Sequence, residues 1–161
     1  MSSVCLVDDT ADCERIYLHP GQLVVAVTPT VITTILGSCV SVCLWDQETR
    51  FGAMTHYLLP KPMGAGDASR FGTTAIAHVI EELRRRGATN PAAKVFGGSS
   101  MNSALALAGR DLGTQNAAVA MAALANASIP VAAVDTGGSI GRRVVFRTDD
   151  GTAWMKYLEK R

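Results

Sequence analysis

The stretch from residue 22 to residue 58 constrains the fold most. It holds four strand-like runs, QLVVAVT (22–28), VITTIL (31–36), CVSVCLW (39–45) and FGAMTHYL (51–58), all rich in β-branched and aromatic residues. Pro20-Gly21, Pro29, Gly37 and the polar stretch DQETR separate them. None of these connections has room for a crossover helix. The spacing therefore predicts antiparallel pairing of successive strands and argues against a doubly wound nucleotide-binding fold.

Helices enter only later in the chain. LLPKPMGAGDASRFG (58–72) carries two prolines and three glycines and reads as a loop. Phe71, Ala75, Ile76, Val79, Ile80 and Leu83 then recur at helical spacing. Asp67 or Ser69 is placed to cap that helix, and Gly87 to end it. AKVFG (93–97) reads as a strand, 101–109 and 114–127 as helical, and 130–136, 142–148 and 152–158 as strands. Strands first, then helices mixed with strands, give an α+β (mixed α/β) class with helices packed on a sheet. The 161 residues fit one domain, with 1–14 a loose N-terminal segment.

A formal net charge of +1 provides no field to recruit nucleic acid or anionic lipid. No apolar run approaches the roughly 20 residues of a membrane span, and the acidic early residues do not resemble a secretory leader. These features point to the cytoplasm, where the four cysteines stay reduced and reactivity matters more than bridging. Cys5 and Cys13 read as incidental.

Cys39 and Cys43 raise the functional question. Four strand residues span about 13 Å, too far for both sulfurs to share one zinc ion, and no second CxxC exists. No metal is expected. Nor does either glycine pair, Gly97-Gly98 or Gly137-Gly138, carry the lysine and hydroxyl of a phosphate loop. Both suit close backbone packing or the approach of an extended substrate.

A hairpin with Asp46 to Thr49 as its loop pairs Trp45 with Arg50. It sets Cys43 opposite Gly52, Ser41 opposite Met54 and Cys39 opposite His56. Opposed residues share a face, so Cys39 gains an imidazole partner and Cys43 does not. Alone, each is more readily a core cysteine or a core histidine. Together they form a candidate nucleophile and base. His19 and His78 lack an obvious cysteine partner. A third group should orient the imidazole. Thr33 and Thr34 lie one strand back, and the residues themselves do not choose between a hydroxyl and a backbone carbonyl.

TILGSCVSVCLWD (34–46) followed by GAMTHYLLP (52–60) resembles the CheD family of chemoreceptor glutamine deamidases. HPGQLVVAV, AKVFGGSSM, LGTQN and VAAVDTGGSIGRRVVF agree in order and spacing. Gly72-Thr73 and Leu112 depart from the pattern. The resemblance implies a cysteine-hydrolase-like fold of layered sheets with helices outside. It implies Cys39 as nucleophile, His56 as base and Thr33 as the residue positioning the histidine. Its implied reaction is hydrolysis of a protein glutamine side chain through a thioester, without metal or cofactor. Ser38, Gly97 and Gly98 are expected to border the substrate, and backbone N–H groups near Ser38 and Cys39 to stabilise the oxyanion. Implied partners are methyl-accepting chemoreceptors and a CheC-type phosphatase. The rival readings are another thiol amidase or peptidase, and a binding adaptor with little catalysis.

Overall fold

A computed structural model describes residues 13–159. The expected loose segment lies almost wholly outside these residues, as does Cys5. The described strands are β1 (Glu14–Tyr17), β2 (Leu23–Ala26), β3 (Thr30–Leu36), β4 (Val40–Asp46), β5 (Gly52–Thr55), β6 (Pro91–Gly97), β7 (Val131–Thr136), β8 (Arg142–Arg147) and β9 (Ala153–Tyr157). The helices are α1 (Gly72–Arg85), α2 (Ser103–Leu107) and α3 (Leu112–Asn126). One sheet has the order β1-β3-β8-β9 and the other β2-β5-β4-β6-β7.

The α+β class holds, but successive early strands do not all pair. Only β4 and β5 form the expected antiparallel neighbours. Strand β2 pairs with β5, whereas β3 crosses to the other sheet and lies between β1 and β8. Each strand has one face to bury, and switching layers lets neighbours in sequence cover each other face to face rather than edge to edge. Two pairings are parallel, β1 with β3 and β6 with β7. The second is joined through α2 and α3, the long crossover that parallel strands need.

The five-stranded sheet is buried on both faces. Val40, Val42, Leu44, Ala53 and Tyr57 pack against Ala75, Ile76, Val79 and Leu83 of α1 and Ala120 and Leu124 of α3. The opposite face, with Cys43, Trp45, Met54 and Phe96, meets Ile32, Leu36, Val144 and Phe146 of the four-stranded sheet. This makes three layers, helices on sheet on sheet, and β4 in the middle layer is buried along its whole length.

The apolar face read for α1 is the buried one. Its start differs: Phe71 takes the N-cap position without a side-chain bond, and Asp67 precedes a short 3-10 turn at Ala68–Arg70. Gly72 leaves no room for a side chain. A Cβ there would lie 2.7 Å from the Tyr57 ring and 2.9 Å from Val119.

Candidate functional site

The hairpin register fixes which groups face each other. Trp45 lies opposite Gly52, Cys43 opposite Met54, and Val40 opposite Tyr57. The turn is two residues longer than the sequence suggested. The Asp46 carboxylate accepts from the backbone N–H and the hydroxyl of Thr49, and Arg50 takes a positive φ of 62° to close the turn. Pairing therefore resumes at Gly52 rather than Arg50. Ser41, not Cys39, now stands across from His56. A two-residue slip preserves the face, because strand side chains alternate with period two. Cys39 and His56 become diagonal neighbours on one face, a separation of roughly 7–8 Å between Cα atoms and less between side chains.

That face looks into the gap between the two sheets, where His56 is buried. Strand β3 supplies the histidine's partner. Thr34 Oγ1 lies 2.7 Å from His56 Nδ1 and donates its proton to the Leu18 carbonyl at 2.6 Å. A hydroxyl has one proton, so toward the ring Thr34 must accept, and Nδ1 carries the hydrogen. The Nε2 lone pair is left to act as a base.

This contact falls on Thr34 and not on Thr33, the residue implied by the family pattern. Ile32, Thr34 and Leu36 point inward and are buried, whereas Thr33 and Ile35 face the outer side of the four-stranded sheet, Thr33 half-buried and Ile35 43% exposed. One residue along a strand changes the face.

Cys39 sits just before β4, half-buried at the edge of the inter-sheet core. Burial pushes its thiol above the ordinary value, and a bond from its own backbone N–H pulls it partly back. His56 moves the other way, pushed down to about 4, first by burial and then by the charge of His19, against the lifting effect of the Leu18 carbonyl. Both shifts favour the uncharged forms. They act against the thiolate–imidazolium pair that a histidine beside a cysteine suggests. A thiol and a neutral imidazole on one face can react by general base catalysis, the proton leaving sulfur as the sulfur attacks.

The remaining expected residues gather around the Cys39 backbone. Gly98 N–H donates to the Cys39 carbonyl at 2.9 Å, and Ser99 N–H to the Gly37 carbonyl at 2.9 Å. A Cβ on Gly97 would lie 2.3 Å from the Cys39 oxygen, and one on Gly98 2.7 Å from the Gly113 oxygen. Here the two glycines serve close backbone packing: they press against the Cys39 main chain and the start of α3. Ser38 and Gly37 open instead onto a groove of about 490 Å³, which Met101, Leu105, Arg110 and Leu112 also line.

Arg142 braces this arrangement from beneath. Its buried guanidinium donates to the carbonyls of Gly97, Asp135 and Gly137. Sequence reasoning passed over Arg142 and Asn116. A buried arginine closing a glycine loop and an asparagine in an alanine-rich helix were the available signals. Among the described residues no group of three or more histidine, cysteine or acidic side chains is placed to hold a metal ion, and no helix is long and apolar enough to cross a membrane.

Residues 58–157 match the family described as CheD chemotactic sensory transduction. A protein of Anaeromyxobacter dehalogenans named probable chemoreceptor glutamine deamidase CheD 1 is 46% identical over 89% of this chain and 85% of its own length. Proteins named probable chemoreceptor glutamine deamidase CheD from Sulfurimonas denitrificans and Trichlorobacter lovleyi are 40% and 38% identical. Each match spans 91% of this chain and at least 92% of the relative.

Proposed function

Because this chain belongs to the CheD family, we propose that it is a protein-glutamine deamidase acting on chemoreceptors through Cys39 and His56. The observation that carries the mechanism is the Thr34–His56 bond, which leaves Nε2 free on the face that Cys39 shares. In this reading Nε2 takes the Cys39 proton as sulfur attacks the carboxamide carbon of a receptor glutamine. The Cys39 backbone N–H donates to the developing oxyanion. His56 returns the proton to the leaving nitrogen, ammonia departs, and a thioester remains. Water, deprotonated at the same Nε2, then hydrolyses the thioester to a glutamate side chain and regenerates the thiol.

The groove beside Ser38 suits the substrate segment flanking the target glutamine. Its rim is apolar, with Met101 87% and Leu105 41% exposed, as a protein-binding surface requires. We assign the single domain to the cytoplasm, where its thiols stay reduced. On the family resemblance we also propose a CheC-type phosphatase as a second partner, tested by copurification.

The test of function is incubation with cytoplasmic fragments of a chemoreceptor, followed by peptide mass spectrometry and ammonia measurement. Conversion of specific glutamines to glutamate with equimolar ammonia is expected. Cleaved or cross-linked peptides would indicate a different thiol enzyme.

A further inference from the structure

The Asn116 side chain lies fully buried in the second turn of α3 and bridges the two halves of the site. Its Nδ2 donates to the Ser38 carbonyl at 3.0 Å and to the Leu58 carbonyl at 2.9 Å. Ser38 immediately precedes the nucleophile, and Leu58 lies two residues beyond the base. Two carbonyl oxygens accept only from the NH2 end, which settles the orientation of the amide. The helix backbone is anchored in turn, because the Tyr57 hydroxyl donates to the Asn116 carbonyl at 2.5 Å.

The Ser38 carbonyl and the Cys39 N–H belong to one planar, trans peptide unit, so they point in opposite directions. Holding the first aims the second. The Cys39 N–H and the sulfur, the atom that attacks, are carried on one residue. An oxygen on the attacked carbon is two bonds from that sulfur, roughly 2.7 Å away, and so within reach of the same donor. The following peptide unit is also held, by Gly98 N–H on the Cys39 carbonyl.

We infer that Asn116 is a positioning residue for the deamidation: by gripping the Ser38 carbonyl it directs the Cys39 N–H at the oxyanion. The inference rests on the deamidase reading above. Asn116 touches no reacting atom and acts through the Ser38–Cys39 peptide. It also ties that peptide to the Leu58 backbone, beside the Val40–Tyr57 backbone bonds that join the two strands there.

The test is Asn116→Asp at a pH where the new carboxyl is ionised, which keeps the shape and removes both donors. Loss of one oxyanion donor lowers turnover by about 10²- to 10³-fold, and a misdirected donor is expected to cost about 10²-fold in kcat, with KM for the receptor fragment unchanged. Alkylation of Cys39 by iodoacetamide is the control. It displaces iodide and builds no oxyanion, so its limiting rate at high pH is expected to match the wild type. Asn116→Ser, which retains one donor, is expected to fall between the two.

A parallel fall of alkylation and deamidation would make Asn116 a general support of the thiol and overturn the inference. So would unchanged kcat in a folded Asn116→Asp, or the failure of both variants to fold. A wild-type chain that releases no ammonia from any receptor glutamine would sink the deamidase reading itself. An active wild type with an indifferent Asn116 would sink only this step.

Discussion

Cys39 and Cys43 point to the same face of the same sheet, into the same gap between layers, yet their surroundings diverge. Cys43 lies inside β4 opposite Met54 and Lys94, with no exposed surface. Its place on the ladder, diagonal to His56, matches that of Cys39, but burial drives its thiol far up. Cys39 lies one residue before the strand begins, where the chain has just left the four-stranded sheet through Gly37 and Ser38. Its backbone is held by Gly98 and, through Ser38, by Asn116, while its side chain is only half-buried. The difference teaches that an accessible thiol here belongs to the junction between layers. A strand interior buries a thiol, and a strand entry exposes one while fixing its main chain.

The largest expected effect breaks the comparison outright. Cys39→Ala should abolish ammonia release from receptor glutamine, whereas Cys43→Ala should retain it and lose only packing, about 1–2 kcal/mol of unfolding free energy. Activity in a folded Cys39→Ala, or its absence in a folded Cys43→Ala, reverses the assignment. Next comes labelling. In the folded protein iodoacetamide should modify Cys39 long before Cys43, which must await unfolding. Peptide mapping checks this and separates any reaction at Cys13. Comparable rates at 39 and 43 would mean that the strand interior opens readily.

A smaller effect sharpens the role of the base. Thr34→Val should lower kcat about fivefold, since a neutral hydrogen bond is worth about 1 kcal/mol and a factor of ten in rate needs about 1.36. Thr33→Val, on the other face, should leave kcat near wild type. The opposite ranking would return the positioning role to Thr33.

The last effect, confined to acid pH, is on stability. His56 is held neutral when folded, with its pKa lowered from 6.5 to about 4, so between those values the unfolded chain binds a proton that the folded chain does not. Stability is whole above 6.5 and declines as pH falls toward 4, by up to about 3 kcal/mol. Denaturant titrations across that range should show the decline, and His56→Gln should flatten it. The acid limb of kcat/KM should likewise lie near pH 4, because protonation of Nε2 removes the base. A limb at 6.5 would contradict the neutral pair.

The residues themselves determined a good deal. Alternation of apolar and β-branched side chains marked most strands, the 3.6-residue period marked the buried face of α1, and the hairpin placed Cys39 and His56 on one face. That last inference survived a turn two residues longer than expected, since a slip of two returns every side chain to its side. The choice between Thr33 and Thr34 had no such protection. It depends on which face of β3 meets the other sheet, and β3 belongs to a layer that local pairing rules did not foresee. Strand β1 was missed for a related reason: it joins the sheet beside β3 in parallel, a long-range pairing with no local turn to announce it. Asn116 bonds to residues 78 and 58 positions away in the chain. Periodicity and turn chemistry report on neighbours within a few residues. The grip on the Ser38 carbonyl, the tautomer of His56 and the neutral state of the pair arise only when three layers close over one another and remove the site from water.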